Sequence, residues 1–314
     1  MDDIMQLMRD TGVALRREML ERGATDKEIQ NSLRAGQLHR VRHGAYTTAE
    51  QWSDADALER HRLRCVAAVR VMPGRVALTH TSALVAQGID VWGADLTTVH
   101  VTRLDGSCGR ICAGVRHHEG TIDDDDLALT PSGLLATTPV RAVVEHASVS
   151  SVVSGLVSAD NAMNKQLFAH DALMAYHERV SHWPGMRQLQ LVVRLADGRA
   201  ESVGETRTRH LCWRCGLPAP ELQYEVFDAE GRFVGRTDFA WPAYRLFGEF
   251  DGRGKYLRNL KPGQTITDAV LAEKQREDRI REITRWACVR VIWRELARYE
   301  ETAQRIRRQL QWAA

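Results

Sequence analysis

The residues best suited to chemistry lie in the last third of the chain, where two carboxylates are predicted to face each other. Phe233 to Trp241 and Tyr244 to Asp251 are each typical of a β-strand, and a tight hairpin between them places Asp238 opposite Glu249. Opposed side chains on one face have Cβ atoms roughly 4.5–5.5 Å apart, where like charges are unfavourable. A divalent cation removes the repulsion, because Mg²⁺ and Mn²⁺ prefer hard oxygen ligands. The spacing therefore predicts a metal site, with Asp251 on the same face as Glu249.

The elements that must position these carboxylates follow the order helix, three strands, helix, strand, helix. We predict them at residues 201–215, 223–227, 233–241, 244–251, 268–286, 288–293 and 294–310. The strands are short apolar runs that end at turn residues, and the helix over 268–286 is long and highly charged. This order places Glu205 on a helix that directly precedes the predicted sheet.

Four short motifs in this segment resemble the PD-(D/E)xK nuclease superfamily, and most closely its small Vsr-like endonuclease domains. The motifs are Glu201-Ser202-Val203-Gly204-Glu205, Thr237-Asp238-Phe239, Glu249-Phe250-Asp251-Gly252 and Asp278-Arg279-Ile280-Arg281. Their order agrees with the family over about residues 201–294. The resemblance implies a restriction-endonuclease-like α-β-β-β-α-β domain at residues 200–314.

The same resemblance assigns roles to individual residues. It implies that Asp238 and Glu249 are the principal ligands of Mg²⁺ or Mn²⁺, and that Glu205 binds a second ion or a metal-bound water. It also implies that Arg281 contacts phosphate or holds Glu249. The expected reaction is metal-assisted hydrolysis of a DNA phosphodiester, in which the ion polarises the phosphate and lowers the pKa of a bound water.

One position departs from the superfamily pattern. The superfamily lysine should stand two residues after the glutamate, where this chain has Asp251, although close relatives of the Vsr-like type also place Asp there. Lys255 and Lys274 are the candidates for the missing cation. The predicted catalytic set is Glu205, Asp238, Glu249, Asp251, Lys255, Lys274 and Arg281.

A second set of residues, near the N-terminus, has types suited to DNA binding. We predict helices at 4–9, 15–21 and 26–35, then two short strands within 38–46. In the third helix Ile29 and Leu33 should face inward. The exposed stripe, at i, i+3, i+4 and i+7 spacing, consists of Lys27, Gln30, Asn31 and Arg34. Such side chains reach both base edges and phosphates in a major groove.

The strands after the third helix resemble the wing of AbiEi-type antitoxins, in the pattern Gly-x-Leu-x-Arg-Val-x-x-Gly-x-Tyr. The matching residues are Gly36, Leu38, Arg40, Val41, Gly44 and Tyr46. The resemblance implies a winged helix-turn-helix at residues 1–55, which reads double-stranded DNA with Arg40, Arg42 and His43 in its wing. The alternative is a helical interaction module whose polar stripe is only solvated.

The middle of the chain, residues 56–199, is predicted as a mixed α/β scaffold without catalytic chemistry. Segments around His80 and Thr137 extend the AbiEi-like resemblance loosely to about residue 165. Asp123 to Asp126 is predicted as an exposed acidic loop. Cys108 and Cys112 followed by His117-His118 could hold zinc, but the spacing is not a common zinc-finger pattern, and packing is the favoured interpretation.

Composition sets the broad class. The chain has 314 residues, 44% hydrophobic and 27% charged, which excludes wholesale disorder. The predicted mixture of helices and strands indicates an α/β (α+β) protein. No apolar run approaches the ~18–20 residues of a membrane span, and six sparse cysteines do not form a disulfide framework. We therefore expect a cytoplasmic protein. The net charge of +2 conceals a basic tail, with 15 Lys and Arg against 8 Asp and Glu after residue 252.

Two functions follow from these patterns. The first is a DNA-binding endonuclease that uses Mg²⁺ or Mn²⁺ in defence or repair. The second is an AbiEi-like antitoxin or transcriptional repressor, with a cognate toxin as partner and a catalytically silent nuclease fold. Dependence on a divalent metal distinguishes them.

Overall fold

The computed structural model describes residues 2–72, 75–105, 110–252 and 265–313, which form a mixed α/β structure with three β-sheets. The predicted α/β (α+β) class is thus confirmed. The chain divides into two compact units, Met1–Ala162 with Gln166–Leu195 and Met163–Lys165 with Ala196–Ala314. We call them the N-terminal unit and the C-terminal unit. The predicted segment 1–55 and nearly all of segment 56–199 lie in the N-terminal unit.

The N-terminal unit begins with three helices and a small sheet. They are α1 (Asp2–Thr11), β1 (Ala14–Leu15), α2 (Arg16–Glu21), α3 (Asp26–Arg34), β2 (Leu38–Arg42) and β3 (Ala45–Thr48), with strand order β1-β3-β2. Helix α3 starts at Asp26 because Thr25 and Glu28 each accept the other's backbone N–H. Ile29 is buried with Met8 and Met19, which anchors α3 against the first two helices.

The rest of the N-terminal unit surrounds a six-stranded sheet with strand order β6-β7-β5-β4-β9-β8. Its elements are α4 (Ala49–Asp54), α5 (Ala57–Val71), β4 (Val76–Leu78), α6 (His80–Ala86), β5 (Val99–Arg103), β6 (Arg110–Cys112), β7 (Val115–His118), β8 (Leu127–Leu129), β9 (Leu135–Thr137), α7 (Pro139–Val149), α8 (Val152–Asn164), α9 (His170–Arg179) and α10 (Met186–Leu195). Strands β5 and β7 run parallel, as do β4 and β9.

The C-terminal unit has the predicted order of elements. They are α11 (Val203–Arg214), β10 (Glu221–Phe227), β11 (Phe233–Trp241), β12 (Leu246–Asp251), α12 (Ile266–Thr284), β13 (Ala287–Ile292) and α13 (Tyr299–Ala313). The sheet has the order β10-β11-β12-β13, and only its β12–β13 pair is parallel within the described residues. The predicted last helix starts later than expected, because a 3₁₀ turn at Glu295–Ala297 precedes it.

The core of the C-terminal unit fills the space between this sheet and its helices. Phe239 and Leu246 from the sheet are fully buried with Leu211 of α11 and Ile306 of α13. Cys212 is buried in the same cluster as a small apolar side chain. In the described parts of the chain, no helix combines the length and apolar character needed to cross a membrane.

Candidate functional site

The hairpin of β11 and β12 has the predicted register. The three Cα partners in the ladder are Phe239 with Gly248, Ala240 with Phe247, and Trp241 with Leu246. Continued by one residue, this register brings Asp238 opposite Glu249. Both carboxylates are buried, with exposed fractions of 8% and 4%. One oxygen of Asp238, Oδ2, accepts the backbone N–H of Phe250 at 2.7 Å.

Glu205 is held beside β12 by the start of α11. The neighbouring Gly204 packs directly on the ring of Phe250, where a Cβ atom at residue 204 would lie 2.0 Å from a ring carbon. The Glu205 carboxylate is 4% exposed and accepts hydrogen bonds from the Glu201 N–H at 2.9 Å and the Ser202 hydroxyl at 2.7 Å. It also accepts a bond from the Gln223 side-chain amide at 2.8 Å. Asp238 thus contacts the Phe250 backbone and Glu205 follows the glycine that packs on the Phe250 ring, but Glu205, Asp238 and Glu249 do not bring one oxygen each within 4.8 Å of one another.

Gln223, which makes this last contact, has an unusual backbone conformation. Its φ of 52° lies in the left-handed region, which is uncommon for a residue with a side chain. The flanking residues Leu222 and Tyr224 still pair with β11, so the distortion is confined to one residue. It lies on the strand beside Asp238, and its amide binds Glu205. Gln223 therefore links β10 to the first turn of α11.

A cation that the sequence did not identify lies beside Glu249. Arg276 of α12 donates a hydrogen bond from Nη2 to Glu249 Oε1 at 2.9 Å, and it also pairs with Glu273. Burial lowers the pKa of Arg276, but the hydrogen bonds and charges of Glu273 and Glu249 outweigh burial and raise the pKa above its ordinary value. Arg276 is therefore a permanent positive charge at the carboxylate cluster.

The other predicted catalytic residues lie elsewhere or outside the described residues. Arg281 is exposed and pairs with Glu277 at 2.7 Å, so the role of holding Glu249 belongs to Arg276 rather than to Arg281. Lys274 is exposed on α12. Asp251 is partly buried at the end of β12, and Lys255 lies outside the described residues. The helix face that meets the sheet carries Arg276 and Ile280, whose side chains pack against Gly235.

The donor chemistry of this cluster fits Mg²⁺ or Mn²⁺. Buried carboxylate oxygens are hard ligands, and two of them on adjacent strands repel each other unless a cation lies near them. Arg276 supplies one such charge to Glu249. The negative charge of Asp238 is stabilised by the hydrogen bond that its Oδ2 accepts from the backbone amide of Phe250. The donor types therefore suit a hard divalent ion, while in this structure Glu249 is paired with the arginine.

The predicted DNA-contacting stripe of α3 is exposed along its whole length. Its residues Lys27, Gln30, Asn31 and Arg34 are all exposed, while Ile29 on the opposite face is 1% exposed. In the β2–β3 hairpin Arg40 and His43 are exposed as well. Arg42 is only half-exposed; it follows a β-bulge in β2 and lines a small cleft together with Arg64.

The N-terminal unit also contains a histidine cluster, of which the sequence patterns had singled out only His118 as a candidate ligand, in a group with Cys108, which lies outside the described residues. Parallel pairing of β5 and β7 aligns His100 with Arg116 and Thr102 with His118, so His100 and His118 share one face of the sheet. His100 Nδ1 lies 2.8 Å from His118 Nε2. His80, the first residue of α6, stacks on His118 with ring centroids 3.7 Å apart. One ligand atom from each of the three lies within 4.8 Å of the others, a convergence found in no other group of His, Cys, Asp or Glu among the described residues.

The three imidazoles are neutral at pH 7. Burial is the largest cause in each case, and it lowers the pKa of His100 and of His118 to about 4. Burial also lowers the pKa of His80 well below its ordinary value. His80 has a φ of 50°, and its backbone N–H donates to Glu145 Oε2 at 3.1 Å. The strained conformation is therefore held by a buried carboxylate.

The histidine cluster opens into a cleft of about 570 Å³, which His80 and His118 line together with Asp126, Arg141 and Arg179. The predicted exposed acidic loop is wrong at Asp126, which is 3% exposed and pairs with Arg141 at 2.7 Å. A buried arginine needs a countercharge, and Asp126 supplies it. We predicted no chemical site in residues 56–199. The sequence did not reveal this cleft, because its lining residues come from five separate segments of the chain.

Comparison with known proteins identifies relatives in Mycobacterium tuberculosis. The chain is 30% identical over 271 residues to the uncharacterized protein Rv2248 of strain H37Rv, which covers 81% of this chain and 93% of Rv2248. The uncharacterized protein MT2308 of strain CDC 1551 matches with the same identity and the same coverage. The chain belongs to the Rv2248 family. No family model matches this member of the Rv2248 family.

Among solved structures, the crystal structure of the RV2827C protein from M. tuberculosis is similar to this Rv2248-family chain. The two share 14% identity with a TM-score of 0.40, over 72% of this chain and 88% of that chain.

Proposed function

We propose that this protein binds double-stranded DNA and hydrolyses its phosphodiesters with Mg²⁺ or Mn²⁺, in defence or repair. In this proposal residues 1–55 form a winged helix-turn-helix of AbiEi-antitoxin type, and residues 56–199 form an AbiEi-like scaffold. Residues 200–314 form a Vsr-like PD-(D/E)xK domain. One observation carries the proposal: Asp238 and Glu249 are buried opposite each other on adjacent strands, and the helix that carries Glu205 packs through Gly204 on Phe250, whose backbone N–H binds Asp238.

The metal would be held by Asp238 and Glu249, with the Phe250 carbonyl as a further oxygen ligand. When bound, the ion would polarise the phosphodiester and neutralise charge on the leaving oxygen. Glu205 would orient the attacking water, because its carboxylate is fixed by three hydrogen bonds. Arg276 would supply the positive charge that the superfamily assigns to a lysine, because it is paired with Glu249, whereas Lys274 is exposed.

The N-terminal surface would bring DNA to the protein. Helix α3 presents Lys27 and Arg34 for phosphates and Gln30 and Asn31 for base edges, all of them exposed. Arg40 in the exposed hairpin would contact the backbone beside the groove. Contacts of this kind release condensed cations from DNA, so affinity should fall steeply with salt.

A second candidate function is an AbiEi-like antitoxin or repressor with a silent nuclease fold and a cognate toxin as partner. The Arg276–Glu249 ion pair favours it, because a fixed guanidinium beside the carboxylate competes with a divalent ion for that oxygen. In this case the exposed stripe of α3 would still bind an operator, and no metal would be required.

Cleavage assays separate the two functions. Supercoiled plasmid and short single- and double-stranded DNA are incubated with the full chain in Mg²⁺, Mn²⁺ or EDTA. Asp238→Asn and Glu249→Gln are run beside the wild type, with Glu225→Gln as the control because Glu225 is an exposed carboxylate on a strand of the same sheet. Metal-dependent cleavage that disappears in the first two variants and persists in the control supports the nuclease. Intact DNA binding in EDTA without cleavage of any substrate refutes it and leaves the repressor.

A further inference from the structure

The histidine cluster of the N-terminal unit has the composition of a transition-metal site. Neutral imidazole is the ligand shared by Zn²⁺, Cu²⁺, Ni²⁺ and Fe²⁺ sites, whereas Mg²⁺ prefers oxygen. His80, His100 and His118 each place one ring nitrogen within 4.8 Å of the others. Two nitrogen ligands of a tetrahedral Zn²⁺ at 2.0–2.1 Å are about 3.4 Å apart, so small ring movements suffice to close the cluster on an ion. The ligands of the histidine cluster are imidazole nitrogens, whereas the carboxylates of the C-terminal unit offer oxygens.

His80 supplies an independent indication that a ligand belongs here. His80 is 8% exposed, and its Nδ1 atom has no hydrogen-bond partner among the described residues. The carboxylate oxygen Glu145 Oε2 is 3.8 Å from this atom, which is beyond hydrogen-bond distance. Buried polar atoms without partners are rare in folded proteins, and an unplaced ion or water is a common reason for one. A metal ion bound by this histidine would satisfy its buried nitrogen.

The contact between His100 and His118 is a second indication that an ion belongs here. Their facing nitrogens are 2.8 Å apart, so one ring donates its N–H to the lone pair of the other. Either ring can carry its proton on the other nitrogen instead, because neutral imidazole exists in two tautomers. A tautomer change therefore frees both facing lone pairs for an ion.

We propose that His80, His100 and His118 bind one divalent transition-metal ion, with Zn²⁺ as the representative ion. Three protein ligands leave one coordination position open, as in catalytic rather than structural zinc sites. That position faces the 570 Å³ cleft, which His80 and His118 line with Arg141 and Arg179. Glu145 serves as the outer carboxylate of the site, because it holds the His80 backbone and is itself held by Arg141 at 2.8 Å. The site does not depend on the proposed nuclease function.

Zinc binding by the purified full chain tests this proposal. The protein is stripped with EDTA, dialysed and titrated with Zn²⁺ alone in competition with a chromophoric chelator. We expect one ion per chain. His118→Gln and His100→Gln should each weaken binding more than about 100-fold, because loss of even an outer-shell partner costs 10–100-fold. His117→Gln is the matched control, since His117 lies on the other face of β7 and should retain wild-type affinity within about 3-fold.

Two further measurements keep the result interpretable. Far-ultraviolet circular dichroism in EDTA establishes that each variant is folded, so that lost binding is not lost structure. Co²⁺ replacing Zn²⁺ should give visible bands of an imidazole site without the intense near-ultraviolet band of thiolate ligation. The proposal is overturned if no ion binds, if His117→Gln weakens binding as much as His118→Gln, or if a thiolate band assigns the ion to cysteines.

Discussion

Replacing Arg276 with methionine should destabilise the C-terminal unit by stranding a buried negative charge. The variant keeps an unbranched apolar side chain but removes the guanidinium that is 2.9 Å from Glu249 Oε1. Removing one partner of a buried ion pair costs about 3–5 kcal/mol of unfolding free energy. Glu249 is 4% exposed, but the Arg276 side chain is 25% exposed, so water can reach the vacated space. We therefore expect a loss of about 2–3 kcal/mol.

Urea unfolding at pH 7, followed by far-ultraviolet circular dichroism, measures this loss. Arg279→Met is the matched control, because Arg279 is exposed on the same helix, and it should stay within about 0.5 kcal/mol of the wild type. The double variant Glu249→Gln with Arg276→Met removes the stranded charge. It should be at least about 1 kcal/mol more stable than Arg276→Met alone, which gives a measurable coupling between the two sites.

The same variants report on the metal site. If Asp238 and Glu249 hold Mg²⁺, removal of the competing guanidinium should let Mg²⁺ stabilise Arg276→Met more than it stabilises the wild type. An Arg276→Met variant as stable as the wild type would refute the electrostatic reasoning. A double variant whose loss equals the two single losses added together would also refute it, because the charges would then be uncoupled.

Three other predictions concern packing, titration and DNA contact. Gly204→Ala should cost about 3 kcal/mol in thermal or urea unfolding, since its Cβ would lie 2.0 Å from an aromatic carbon, whereas Gly252→Ala meets the same ring at 3.4 Å and should be tolerated. Burial lowers the pKa of His210 to about 4, so the stability that it contributes is present above its unfolded pKa near 6.5 and is lost as pH falls towards 4. Between pH 7.5 and 5 the wild type should lose about 1–2 kcal/mol more than His210→Asn in urea unfolding, and equal pH slopes would contradict the assignment. Lys27→Ala with Arg34→Ala should reduce the slope of log affinity against log salt by about 2 in fluorescence anisotropy with duplex DNA, and an unchanged slope would exclude both from phosphate contact.

Much of the C-terminal fold could be predicted from local pattern. The alternation of apolar residues and the turn between Trp241 and Leu246 determine the hairpin register, which places Asp238 opposite Glu249. The predicted start of α3 at Asp26 has the same local reason, since Thr25 caps it, whereas the helix predicted from residue 201 starts at Val203, after its cap Ser202. These features depend on residues that are close in sequence.

The identity of the charged neighbour of Glu249 could not be predicted in the same way. Arg276 and Lys274 lie two positions apart on one helix, and helical periodicity places them on different faces without stating which face meets the sheet. Packing decides which face of the helix meets the sheet, since the side chains of Ile280 and Arg276 lie against Gly235 of β11. Arg281 forms an ion pair with Glu277, one helical turn before it, instead of with Glu249.

The sequence by itself determined the elements, the hairpin with its two carboxylates and the exposed stripe of α3, because these follow from periodicity, capping and turn chemistry within short segments. Only the tertiary structure decided that His80, His100 and His118 converge and that Asp126 is buried against Arg141. Both outcomes depend on which strands pair in the six-stranded sheet and on how α7 packs beside it. Pairing of β5 with β7 is a non-local choice, made by the total burial of many side chains rather than by any short pattern.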